Sequence, residues 1–167
     1  MTIQRSILIM ALLLVLDEGV KILVRLYIPI GDVTVLLPNM LELTHVENPG
    51  VSFGFLAGLP SMIRIPLLSG MSILAIGGMV FYLYRYWIQL DLFTKSALIL
   101  TIPGAMGNLV DRVIYGTVTD FLHFLWYGIP LIPTFVNNLA DCFISLGVVL
   151  LIIGTFRGND QAETSSV

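Results

Sequence analysis

Long apolar runs, broken by a handful of ionisable residues, set the terms for any fold of this chain. Ile7 to Leu26, Ile65 to Tyr84, Thr94 to Val110 and Leu139 to Phe156 each approach the roughly 20 residues that carry a helix across a bilayer. Of the 167 residues, 57% are hydrophobic and 11% are charged. A soluble domain carries about 25% charged residues, so too little polar surface exists here to cover a water-soluble core. Disordered, collagen-like and surface coiled-coil classes are excluded by the same composition. What remains is an all-α membrane protein with four spans and both termini on one side.

The other bulk features narrow the partners. The formal charge is −3 and no basic stretch occurs, which argues against nucleic acid. The single cysteine, Cys142, makes no intrachain disulfide. Arg5 and the apolar run to Leu16 have the look of a signal peptide, but Asp17-Glu18-Gly19 follows instead of a small-x-small cleavage site. A retained first span is therefore predicted. Residues 1–157 are expected to form one membrane domain, and 158–167 a disordered polar tail.

Positive residues orient the spans. Arg5, Arg85, Lys95 and Arg157 fall on one side; Arg25, Arg64, Arg112 and Lys21 lie towards the other. This places the termini and the 85–95 connection in the cytoplasm. Outside, Val33 to Val35 and Leu41 to Val46 alternate and are β-prone, with Pro38-Asn39 between them as a turn signal. Asn48-Pro49-Gly50 marks another turn. A small β platform is expected there. Residues 113–138, with Trp126, Tyr127, Pro130 and Pro133, read as a loop in the membrane interface over a site.

Ionisable residues in apolar spans are costly unless they face a cavity or a partner, and here they cluster. Asp17 and Lys21 are four apart, on one helix face. Gly104, Asn108, Asp111 and Arg112 share a face of the third span. Gly104 permits close helix approach, Asn108 can bridge helices, and Arg112 can fork onto a carboxylate or a carbonyl. Asn138 and Asp141 open the fourth span, where the helix dipole favours an anion. Asp120 precedes it at the same end. Two acids converging in a dry site share a proton, as in aspartic proteases. Read from the residues alone, two intramembrane acids serve ion transport equally well. His45 and His123 do not form a His-Glu-x-x-His motif, and no Gly-x-Ser-x-Gly occurs. Asp120, His123 and Asp141 are a remote metal set.

Five blocks in order resemble one family. Asp17-Glu18-Gly19-Val20-Lys21 resembles the Asp-Gln-x-x-Lys block of the lipoprotein signal peptidases (signal peptidase II), which are bacterial membrane aspartic peptidases. Asn48-Pro49-Gly50-Val51-Ser52-Phe53-Gly54 resembles their Asn-x-Gly-Ala-Ala-Phe block. Gly104 to Arg112, Val118 to Phe121 and Asn138 to Asp141 are similar to the remaining three. The resemblance spans roughly residues 7–156. It implies four transmembrane helices, a small extracytoplasmic β-cradle and a loop over the active site. It implies Asp120 and Asp141 as the catalytic dyad, with Asp17, Lys21, Asn48, Gly104, Asn108, Asp111, Arg112 and Asn138 binding or supporting the site. It implies removal of signal peptides from diacylglyceryl prolipoproteins, N-terminal to the lipidated cysteine, without metal or other cofactor. The setting implied is the bacterial inner membrane, the active site lying near its outer face in a monomer that globomycin-type inhibitors block. Glu18, Pro49 and Ser52 depart from the family pattern. A small ion- or proton-coupled transporter using the intramembrane acids, and a non-catalytic scaffold, are the rival readings.

Overall fold

The computed structural model describes residues 2–50, 56–125 and 134–164, with backbone only for 158–164. Helix α1 (Ile3–Tyr27) is followed by strands β1 (Val33–Leu37) and β2 (Leu41–Asn48), then helices α2 (Ser61–Arg85) and α3 (Leu92–Tyr115). Strands β3 (Val118–Phe124) and β4 (Phe135–Asn137) precede helix α4 (Leu139–Thr164). Three of these helices are long and apolar enough to cross a membrane: Ser61–Arg85, Leu92–Tyr115 and Leu139–Arg157.

Helix α3 is the hub, packed against α1, α2 and α4. Its closest approach to α4 depends on Gly104. A Cβ there would lie 2.6 Å from the Ala140 carbonyl oxygen, a backbone obstacle that cannot swing aside. Gly107 similarly leaves space for the Asp17 carboxylate. Helix α1 carries too much charge to qualify on composition, but the charge is turned inward. Asp17 and Lys21 are fully buried, whereas Leu8, Leu12, Val15 and Leu26 face outward.

The strands form one antiparallel sheet in the order β1-β2-β3-β4. The hairpin predicted across Pro38-Asn39 is present, with Asn39 in the left-handed region at φ 60°. Residues 113–138 are not simply an interfacial loop. Their first part ends α3 and then becomes β3, which pairs with β2; β4 closes the sheet. Phe121, expected at the interface, is buried. Trp126, Tyr127, Pro130 and Pro133 lie outside the described residues, as do Val51 to Gly54. Helix α4 continues past Gly158, where the sequence predicts the tail to begin. Asp160, Gln161, Ala162 and Glu163 include good helix formers, which suits this continuation.

Candidate active site

The chain ends of three elements meet at one place: the C-terminal half of α3, the start of α4, and β3 where it crosses β2. Asn138 begins the assembly by starting α4. Its side-chain oxygen accepts from the Asp141 backbone N–H (2.9 Å), while the Asp141 carboxylate reaches back towards the Asn138 N–H (3.4 Å). This is a reciprocal cap of the kind that opens a helix. The next free donor, Ala140 N–H, is taken by Asp17 Oδ1 from α1 at 2.9 Å. Three orphan groups of the helix start are thus placed by side chains from two elements.

Asparagines then tie the two acids together. Asn138 Nδ2 donates to Asp120 Oδ1 (2.7 Å) and to Asn108 Oδ1 (3.1 Å). Asn108 Nδ2 donates to Asp141 Oδ1 at 2.8 Å. Asn48 Nδ2 donates to the other Asp120 oxygen at 2.9 Å. Asp120 therefore sits between two amides that fix both of its oxygens. Asp120 and Asp141 line one cleft of about 900 Å³, shared with Asn108 and Arg112. Asp120 is 2% exposed. Burial, with the Asp141 charge adding to it, pushes its pKa up to about 7; the bonds from Asn48 and Asn138 oppose the rise.

Behind the acids runs a buried ionic network. Lys21 Nζ pairs with Asp17 at 2.8 Å and Asp111 at 3.5 Å, and donates to Asn108 Oδ1 at 3.1 Å. Asp111 in turn accepts from Arg25 and from the Thr119 backbone N–H (2.9 Å). Asp111 thus grips the residue before Asp120 rather than lining the cleft. Arg112 donates to the carbonyls of Asn108 (3.2 Å) and Gly50 (3.3 Å), holding the turn after Asn48 against α3.

Every site residue expected from the sequence falls in this assembly or directly behind it. His123 does not. On a strand, residues three apart point to opposite faces, and His123 Nδ1 meets Glu42 at 2.9 Å instead. Arg25, Glu47, His45, Thr117 and Thr119 also belong to this assembly, although no sequence motif singles them out. The spacing Asp17, Lys21, Arg25 at i, i+4 and i+8 was the available signal for Arg25. The other four are visible only once β2 and β3 are paired.

A family model described as signal peptidase (SPase) II matches residues 9–157. A lipoprotein signal peptidase from Syntrophus aciditrophicus is 37% identical over 142 residues, 85% of this chain and 86% of that one. The lipoprotein signal peptidase of Tolumonas auensis is 38% identical, covering 86% of this chain and 84% of its own length. One from Brucella ovis is 34% identical over 92% of this chain and 90% of the relative. Among solved structures, a bacterial membrane enzyme at 2.3 Å resolution superposes with a TM-score of 0.80 at 28% identity, covering 95% and 92% of the two chains. A second, at 1.9 Å, gives 0.74 at 29% identity over 92% and 93%.

Proposed function

We propose, for a chain that belongs to the signal peptidase II family, that Asp120 and Asp141 are the catalytic pair with which it cleaves signal peptides from prolipoproteins. The observation that carries this is the shared cleft: both carboxylates line it, Asn138 is hydrogen-bonded to both, and Asn108 joins Asn138 to Asp141. Two such groups share one proton. The ionised acid takes a proton from water as the water adds to the scissile carbonyl. The protonated acid polarises that carbonyl, and the amine leaves with a proton from the pair. Asn48 and Asn138 orient Asp120, Asn108 orients Asp141, and Arg112 holds the Gly50 turn at the cleft's edge. Asp17, Lys21, Gly104 and Asp111 fix the helices on which these groups stand.

Helix α1 acts as the fourth span. Its outward face is apolar, and its buried charges are compensated within the bundle. The basic residues favour cytoplasmic termini, which puts the sheet and the acids near the outer face of the bacterial inner membrane. Ser72 of α2, Ala105 of α3 and Ser145 of α4 also line the cleft. A lipidated substrate helix can therefore approach sideways, within the bilayer, and a single copy of the chain suffices. Globomycin-type inhibitors occupy this cleft in the same reading. Pro49 borders it, so it bears on inhibitor fit; Ser52 lies outside the described residues. Residues 1–157 act as the single peptidase domain.

The test is a gel-shift cleavage assay. Detergent-purified protein is incubated with a diacylglyceryl-modified prolipoprotein and a chelator. Wild type cleaves, while Asp120→Asn and Asp141→Asn do not. Cleavage by both folded variants would mean that other acids do the chemistry.

A further inference from the structure

The sheet has a second polar face, away from the acids. In the β2–β3 pairing, Val46 faces Asp120, Glu47 faces Thr119 and Asn48 faces Val118. Side chains alternate along a strand, so Glu47 and Thr119 point away from the face that carries Asp120 and Asn48. On that rear face the Glu47 carboxylate accepts from Thr117 Oγ1 and from Thr119 Oγ1 (3.1 Å). His45 Nε2 lies 3.0 Å from the same carboxylate, and Arg25 Nε approaches to 4.0 Å. The Glu47 side chain is only 26% exposed.

We propose that Glu47 is a positioning residue for Asp120, acting as a rear clamp that fixes β3 on both sides of Val118 and so sets where the Asp120 carboxylate points. The proposal rests on the assignment of Asp120 to the catalytic pair. Glu47 stands next to Asn48, which holds Asp120 Oδ2; Thr119 stands next to Asp120 itself. One carboxylate therefore ties together the residue before the orienting amide and the residue before the acid. Asp111 completes the grip by accepting the Thr119 N–H.

The charges around Glu47 support an ionised, acceptor-only carboxylate. Burial raises its pKa, but the hydrogen bonds from Thr117, His45 and Thr119, with the Arg25 charge, outweigh burial and hold it below the usual range. The groups facing it are His45 on its own strand, Arg25 from α1, Thr119 of β3 and Thr117 just before that strand. Asp111 shares Arg25 with it. His45 Nδ1 also meets the Ile28 carbonyl at 2.7 Å. Both ring nitrogens thus meet an oxygen. His45 then anchors the clamp to the turn after α1.

Glu47→Gln and Glu47→Ala test this, beside Asp120→Asn, with a diacylglyceryl-modified prolipoprotein as substrate and thermal unfolding as the check on folding. Both Glu47 variants are expected to lose about tenfold in kcat, as small misplacements of a reacting group do, with KM within about twofold. The alkaline limb of their pH profile moves to lower pH, because a loosened Asp120 is better solvated. Wild-type kcat and profile in both variants, with Asp120→Asn inactive, would remove the clamp and leave the pair. A lower kcat with an unmoved profile and a proportionate loss of folded protein would also overturn it, since Glu47 then serves stability alone. Cleavage by Asp120→Asn at the wild-type rate would remove the catalytic assignment and this inference with it.

Discussion

Asp120 holds a proton near neutrality because it is buried beside a second acid. Two consequences follow at the scale of this residue. A pair that needs one shared proton loses activity once both acids ionise, so kcat/KM is expected to fall as pH rises through about 7. A flat profile to pH 9 would contradict that. The linkage to folding has a definite sign. The native pKa lies above the ordinary aspartate value, so between about 4 and 7 the native state binds a proton that the unfolded chain releases. From this group, stability declines as pH rises through that window and is constant outside it. Lys21 gives a second residue-scale prediction. It is fully buried between Asp17 and Asp111, so Lys21→Met leaves Asp17 without a cation and Asp111 with Arg25 alone. The expected cost is about 3–5 kcal/mol, read as a lowered unfolding midpoint in detergent, with Asp17→Asn partly restoring it. Arg112→Ala frees the Gly50 turn and is expected to reduce turnover about 100-fold; unchanged cleavage by a folded variant would refute that role.

The contact between α3 and α4 makes its own prediction at the scale of elements. Gly104→Ala puts a methyl 2.6 Å from the Ala140 carbonyl oxygen, so the start of α4 must shift. A loss of about 1–3 kcal/mol is expected, with a fall in activity, because Asp141 rides on that turn. A variant with wild-type stability and turnover would show that the helices slide freely. The elements also show what the sequence could and could not convey. Three spans and the β1–β2 hairpin were legible because apolar run length and turn chemistry are local. Strand β3 was obscured for a physical reason. Val118 to Phe121 are all buried, so the polar-apolar alternation of a half-exposed strand is missing. Its polar residues, Thr119 and Asp120, are satisfied by partners far away in the chain. The aromatic and proline residues that follow strengthened the reading of a loop. The acids themselves were legible from motif spacing, but their tethers through Asn48, Asn108 and Asn138 needed the folded geometry.

For the whole molecule, the distribution of basic residues makes a testable prediction about orientation. In the proposed topology, which the basic residues favour, the α2–α3 connection and the termini are cytoplasmic and the sheet lies outside. With Cys142 replaced by Ala, a single cysteine at Val35, which is exposed on β1, is expected to react with an impermeant maleimide added outside intact cells or spheroplasts. One at Gln89, in the α2–α3 connection, reacts only after lysis. The reverse pattern would invert the topology and put the acids at the cytoplasmic face.

The Asp17 carboxylate that closes the first turn of α4 joins the earliest helix of the chain to the last. On a ribosome, α1 is made before any of its partners exist. Asp17, Lys21 and Arg25 then have only one another, while Asn108, Asp111 and Ala140 are still unsynthesised. The first helix is consequently the least comfortable in lipid until the others arrive, and the contacts around Asp17 are complete only once the start of α4 has been made.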